Sequence, residues 1–300
     1  VLIKNWLEFT YVENTGVAFG SFRGYKYFFI FISLVAFFGI LFYIYKNMRI
    51  GIKLTISALC NIFLIFIARS MIAWKFSIVL FGKISLILSL LNFALFFINA
   101  FSAILFPILR TKKACEQDEI FKILDDGLSI IFVFLFLFAY PVEILLGAWL
   151  PKYADVLNYM PIIFTILLCE GKTPLLTNSY FKALRKEGQM LRINLISLII
   201  FSVFIGFIVY FCNDIFIIMF CLFLSLFAKY IALSYGLKKF IKSINFCNIG
   251  VEFFCGVCFI AISHILPGVY AFCLIIVSFI VLIVLKRKTF IQLLKFIKTI

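Results

Sequence analysis

Charge is scarce in this chain: Asp, Glu, Lys and Arg make up 14% of its 300 residues, against about 25% in an ordinary soluble domain. With 65% of residues hydrophobic and a mean hydropathy of +1.19, too little polar surface is left to cover a water-soluble globule. Histidine is almost absent. The single one, His264, stands near Pro267 with no acidic neighbour, which suits a turn residue better than a general base. The nine cysteines are scattered, mostly inside apolar runs, with Cys255 and Cys258 in the same run. That spacing fits neither a metal site nor a redox pair, and reads as small hydrophobic packing groups. No metal and no cofactor is expected. The first residue is Val1, and no charged start with a small-residue cleavage site follows it. The chain therefore reads as a piece whose true beginning lies upstream.

What charge there is leans one way, to a net +15. In a soluble protein that excess would suggest a nucleic-acid partner. Here the basic residues fall between apolar runs, so membrane topology accounts for them and no nucleic acid is expected. The runs approach twenty residues, the length needed to cross about 30 Å of hydrocarbon. They predict an all-α, polytopic membrane protein of about nine spans. Five are placed at Tyr27–Tyr45, Leu54–Ile72, Ile84–Leu109, Gly127–Leu150 and Val156–Thr177. Four follow at Ile193–Cys212, Ile215–Tyr235, Ile249–Leu266 and Val269–Leu285. Helices are required because a lone strand in lipid leaves its backbone unpaired. Pro141 and Pro161 fall inside two spans and predict kinks there.

Alternate connections differ sharply in charge. One set holds Lys46, Arg49 and Lys53, then Arg110, Lys112, Lys113 and Lys122. It continues with Lys182, Arg185, Lys186 and Arg192, then Lys238, Lys239 and Lys242, and ends with Lys286, Arg287, Lys288, Lys295 and Lys298. The other set has only Lys4, Arg23, Lys26, Lys75, Lys83 and Lys152. The basic set is expected on the cytoplasmic side of a bacterial inner membrane. That puts the N-terminal segment outside and the C-terminus inside, as an odd number of spans requires. The loop Lys182–Arg192 then faces anionic lipid, and the Lys286–Lys298 stretch can lie on the membrane surface.

Two stretches carry family resemblances. Trp6–Gly20 reads WLEFTYVENTGVAFG. It resembles the lipoprotein signal peptidase (signal peptidase II) family, an intramembrane aspartic protease, in a phrase before a span. Asn14, Thr15, Gly16, Ala18 and Phe19 carry the match. The segment 1–47 is expected to be a signal-peptidase-II-like piece with one span. Proteolysis in that family needs two aspartates on later spans, in phrases like G-N-x-x-D-R and F-N-x-A-D. Asp118, Asp125, Asp126, Asp155 and Asp214 lie in neither phrase, so no catalytic residue and no enzyme activity is expected. Asn14 can equally be part of an Asn-Thr-Gly turn with Gly16 at positive φ.

From Met48 onward the text changes. RIGIKLTISAL at Arg49–Leu59 and FGKISLILSLLNFALFFINAFSAILFPILR at Phe81–Arg110 come first. YPVEILLGAWLPKYADVLNYMPII at Tyr140–Ile163 and LLTNSYFKALRKEGQMLRINL at Leu175–Leu195 follow. In this order they resemble the C-terminal lobe of the polysaccharide and O-antigen flippases of the multidrug/oligosaccharidyl-lipid/polysaccharide exporter superfamily. The resemblance covers residues 48–300 and implies eight helices equal to one exporter lobe plus two. It also implies a cargo of polyprenyl-pyrophosphate-linked oligosaccharide, the lipid bilayer as surroundings, and a polysaccharide polymerase or glycosyltransferases as partners.

Cargo with an anionic pyrophosphate and polar sugars needs a cationic, water-filled cavity, so polar residues within spans are the candidates. They are Arg69, Lys172, Asn61, Asn92 and Asn99. For Arg69, Lys172 and Lys229, snorkelling to the nearest interface competes with a place in the cavity, and for Lys172 so does an internal pair with Glu170. The asparagines can instead bond between helices. Asp125 and Asp126 are expected to cap a helix start. Glu143 and Glu252 receive no role. An exporter lobe should show six bundled helices with polar residues turned to an open flank, where the missing lobe would sit. The other readings are a signal peptidase fragment, a structural membrane protein, and a chimeric chain without activity. Two resemblances meeting without overlap at Lys46–Arg49 predict a join of two genes. Sequencing genomic DNA across those codons is expected to show it; one uninterrupted frame with its own start codon, expressed as such, would count against an assembly artefact.

Overall fold

The computed structural model describes residues 50–265 together with Val35, Phe37 and Ile276. The chain divides into two units, Val1–Lys53 and Leu54–Ile300. Of the first, only Val35, Phe37 and residues 50–53 are described. Regular structure among the described residues is entirely helical. Seven of these helices are long and apolar enough to cross a membrane, and the chain is an all-α polytopic membrane protein.

In chain order, α1 is Ile50–Lys75, α2 is Ile78–Thr111 and α3 is Ala114–Leu135. A 3-10 turn, Phe136–Phe138, leads α3 into α4, Ala139–Trp149. The connection that follows holds a 3-10 turn at Pro151–Tyr153 and the short α5, Ala154–Leu157. Next, α6 (Met160–Lys172) passes through a π-helical stretch, Thr173–Asn178, into α7 (Ser179–Ala183). Then come α8 (Glu187–Phe211), α9 (Ile215–Leu237) and α10 (Phe246–Ile265). Seven of the nine spans read from sequence fall on these helices. The spans read at Tyr27–Tyr45 and Val269–Leu285, like the motif residues Asn14, Thr15, Gly16, Ala18 and Phe19, lie outside the described residues.

The helix ends explain themselves locally. Ser77 accepts from the Leu80 amide at 3.3 Å to start α2, and Asp214 accepts from the Phe216 amide at 2.8 Å to start α9. Both satisfy amides that a first helical turn leaves free. At the far end of α8, the Lys75 ammonium donates to the carbonyls of Val209 and, at 2.6 Å, Cys212. A cation there completes the orphaned carbonyls and meets the negative end of the helix dipole. Arg185 takes a φ of 55° between α7 and α8, in the left-handed region that ends helices.

The prolines do not all act as the sequence suggests. Pro161 sits in the first turn of α6, where its missing amide would have been unpaired anyway, so it starts a helix rather than kinking one. Pro141 lies near the start of α4, just after the 3-10 turn that joins it to α3, and the span is jointed there. Within the central span the irregular proline is Pro174, inside the π-helical stretch.

The α6–α7 span is the centre of the bundle. It is the least apolar of the seven, yet 89% of its most apolar window is buried, against 28% for α2, α8 and α10. It packs against α2, α3, α4, α9 and α10. The outer helices show lipid the large apolar side chains of Phe93, Phe97, Val203 and Phe207, all exposed. In the connection between spans, Asp155 of α5 is reached at 2.8 Å by Lys83, in the second turn of α2. The Lys83 hydrogen bond holds the Asp155 carboxyl below the ordinary carboxylate range. What this tie contributes is present above the ordinary Asp range and fades as the pH falls through the lowered value.

Close approach to the central helix depends on glycine at two positions, Gly256 of α10, where a Cβ would stand 2.6 Å from Thr165 Cγ2, and Gly171 of α6 itself. A Cβ on Gly171 would stand 2.3 Å from the Phe132 ring and 3.1 Å from Ile98 Cδ1, and Phe132 is itself buried. Gly171→Ala is expected to destabilise the protein by about 1–3 kcal/mol through overpacking. Gly206, in α8, has nothing within 4 Å of that point. Gly206→Ala is expected to be neutral or slightly stabilising, by up to about 1 kcal/mol. Thermal unfolding of the detergent-solubilised protein compares the two.

Candidate functional site

Two features converge on the central helix: a polar cavity on one side and a set of buried charges on both. Glu170 and Lys172 are two residues apart, and at about 100° per residue they project to opposite faces of α6. Each meets a different partner.

On one face, Lys229 of α9 is 1% exposed and donates to Glu170 Oε1 at 2.5 Å and to Asn61 Oδ1 at 3.2 Å. The pair links α6, α9 and α1. Burial inside the bundle keeps this lysine from snorkelling, and the facing carboxylate and asparagine oxygen compensate it. On the other face, Lys172 is fully buried. It donates to Asp125 Oδ1 at 2.7 Å, to Ser129 Oγ at 2.9 Å and to Glu252 Oε1 at 2.5 Å. This cluster ties α3, α6 and α10 together. Ser129 also lies in hydrogen-bond contact with Glu252 Oε1 and with the Asp125 carbonyl.

The cavity has a volume of about 960 Å3 and lies between α1 and α2, with the central helix as its floor. Asn61 and Arg69 come from α1, and Asn92, Asn99 and Ser102 from α2, while Glu170 reaches it from α6. The spacing explains the lining. Asn92, Asn99 and Ser102 recur at i, i+7 and i+10, one face of a helix. Asn92 and Asn99 are exposed, whereas Ser102 is buried against the Pro174 carbonyl, to which it donates at 2.6 Å. Ser57, Asn61 and Arg69 form the matching stripe on α1, and Ser57 accepts from the Asn194 amide at 2.5 Å. Arg69 reaches Ser89 Oγ at 3.5 Å with one guanidinium nitrogen, while its Nε is buried without a hydrogen-bond partner among the described residues.

Of the candidates read from sequence, Arg69, Asn61, Asn92 and Asn99 therefore share one cavity, and Lys172 stands outside it. Lys172 pairs with Asp125 and Glu252; the partner of Glu170 is Lys229. Asp125 and Asp126 are not caps. α3 begins at Ala114, so both lie inside it, with Asp125 in the cluster and Asp126 accepting from the Asn248 amide at 3.1 Å. Lys229 does not snorkel. His264 lies in the last turn of α10 with its ring 4.7 Å from that of Phe216. Sequence reasoning missed Glu170, Lys229, Asp125 and Glu252 as a set. The signal available was charge inside apolar runs, because each such residue demands an opposite partner somewhere in the bundle. Among the described residues no group of three or more His, Cys, Asp or Glu is placed to hold a metal ion.

The Glu170–Lys229 pair makes a clean energetic test. Lys229→Met leaves a buried, uncompensated carboxylate and is expected to cost about 3–5 kcal/mol. Adding Glu170→Gln removes that charge and is expected to restore most of the loss. Unfolding midpoints of the two single variants and the double variant in detergent measure the coupling.

Comparison with known proteins concerns the N-terminal part. Residues 1–68 match the family model of signal peptidase (SPase) II. The chain is similar to the lipoprotein signal peptidase of Clostridium novyi (strain NT), 36% identical over 69 residues, which are 21% of this chain and 47% of that protein. The chain thus spans about half the length of the curated relative it matches. The family match runs past Lys46–Arg49 and takes in most of α1, up to the residue before Arg69. No solved structure matches the chain. What the comparisons support is a signal-peptidase-II-like N-terminal segment.

Proposed function

We propose that residues 48–300 act as one lobe of a flippase that moves polyprenyl-pyrophosphate-linked oligosaccharide across the bacterial inner membrane for cell-surface polysaccharide synthesis. The observation that carries this reading is the cavity of about 960 Å3 between α1 and α2. Asparagines turned outward from an apolar helix are costly against lipid and useful against sugar hydroxyls. Arg69 brings a cation with a planar fork of donors, the geometry that suits a pyrophosphate. Phe96 and Phe106, also in the lining, offer apolar surface for the lipid tail. In this reading the basic connections face the cytoplasm, Arg69 stands toward the outer side, and a second lobe completes the cavity wall for alternating access. Lys172 positions helices rather than touching cargo. A polymerase or glycosyltransferases on the same pathway are the expected partners.

A second reading, a proteolytic role for the N-terminal segment, rests on the match over residues 1–68. Membranes holding the chain either process a prolipoprotein substrate or do not, and cleavage would favour that reading over the transporter.

For the flippase reading, the chain is supplied with a separate first lobe to a bacterium lacking its own O-antigen flippase. Surface glycan is expected to return, and Arg69→Ala to cut it about tenfold or more, the equivalent of one lost charge-assisted contact. Full export by Arg69→Ala would remove Arg69 from the mechanism, and failure of the unaltered pair to restore glycan would defeat the reading.

A further inference from the structure

The cluster around Lys172 does not balance. One ammonium faces two carboxylates, Asp125 and Glu252, so three ionised groups would leave a net charge of −1 inside the bundle. The neighbouring pair gives no relief, since Lys229 is matched by Glu170. A surplus charge in so apolar a place is discharged by taking up a counter-ion or a proton.

The geometry says which group takes it. Lys172 has three N–H donors, and they are spent on Asp125 Oδ1, Ser129 Oγ and Glu252 Oε1. Glu252 is 4% exposed, and its second oxygen, Oε2, is buried with no hydrogen-bond partner among the described residues. An ionised carboxyl would leave the share of charge on Oε2 without a hydrogen bond, a cost that a neutral carboxyl lowers. The groups facing Glu252 are Lys172 and Cys169 on α6, Asp125 and Ser129 on α3, and Tyr230 on α9. Lys172 is the only cation among them.

We propose that Glu252 is a proton-binding site, holding one proton at neutral pH on the carboxyl that shares Lys172 with Asp125. The proton comes from water and sits on a glutamate oxygen, taking the cluster from −1 to zero, and no other bond changes. A bound sodium ion is the competing way to supply the missing charge. The ammonium already occupies the place between the carboxylates, and no group of three or more acidic, His or Cys side chains is gathered there for a metal among the described residues. The proposal concerns proton binding alone and stands or falls separately from the flippase reading.

Infrared spectroscopy of the full chain in lipid nanodiscs tests it, because a protonated carboxylic acid has a C=O stretch that a carboxylate lacks. At neutral pH the wild type is expected to show the band of a buried acid. Glu252→Gln is expected to abolish the band while keeping the wild-type unfolding midpoint, because glutamine copies the neutral acid. Asp125→Asn is also expected to abolish it although Glu252 is still present, since one cation then faces one carboxylate. Glu170→Gln, outside this cluster, is expected to leave the band in place. The proposal is overturned if the wild type has no such band, or if the band survives in Glu252→Gln. It is equally overturned if the band persists in Asp125→Asn, or disappears when sodium is added at constant pH.

Discussion

The bundle depends on burying unlike charges on the two faces of a single helix. An ionised side chain in hydrocarbon is tolerated only when an opposite charge and hydrogen bonds compensate it. The central helix meets that condition twice, with Glu170 held by Lys229 and Lys172 held by Asp125 and Glu252. Each pairing crosses between helices, so each also fixes which helices are neighbours. α3 and α10 are fastened on one side of α6, α9 and α1 on the other. Apolar packing alone discriminates weakly between helix arrangements in a bilayer, since lipid tails are as apolar as leucine. Charges that must meet supply the missing specificity.

The same helix joins the charged core to the cavity. Glu170 and Asn61 belong both to the Lys229 network and to the cavity lining. Anything that enters the hollow between α1 and α2 is therefore one hydrogen bond from an ammonium that holds three helices together. The Lys172 cluster is sealed off on the far face and has no such exposure. The two halves of the buried charge are thus distinguished by access: one borders a space large enough for a polar headgroup, and the other is closed among side chains.

Much of the fold was readable from sequence because hydrocarbon length imposes itself on the text. Leu54–Ile72 and Ile215–Tyr235, for example, sit inside α1 and α9 with little error. Where the reading failed, a helix continued past its apolar part. α3 starts at Ala114, and its first turns, ACEQDEIFKILDD, are too charged to resemble a span. That is why Asp125 and Asp126 looked like residues ahead of a helix. Asn61, Arg69, Asn92 and Asn99 were legible as a group, since polar residues in apolar runs are conspicuous. The partners of Lys172 were not. Asp125 and Glu252 are 47 and 80 positions away from it, and no local pattern announces a contact at such separations. Glu170 was nearer in sequence and faces the other way.

The π-helical stretch Thr173–Asn178 sets the phase of everything beyond it in the central span. A wide turn of this kind fits one more residue into a helix than regular winding would. Its loosened carbonyl at Pro174 is met by the hydroxyls of Ser102 and Ser179, at 2.6 and 2.8 Å. Rewinding this stretch as regular α-helix with every residue kept would turn the span beyond it by about 100°. Tyr180 would then leave the Gln117 carbonyl that it reaches at 3.0 Å, and Lys182 would swing away from the cavity that it now lines. The bulge works as an angular offset, letting one continuous rod present Glu170 at its middle and Lys182 near its end to the same hollow.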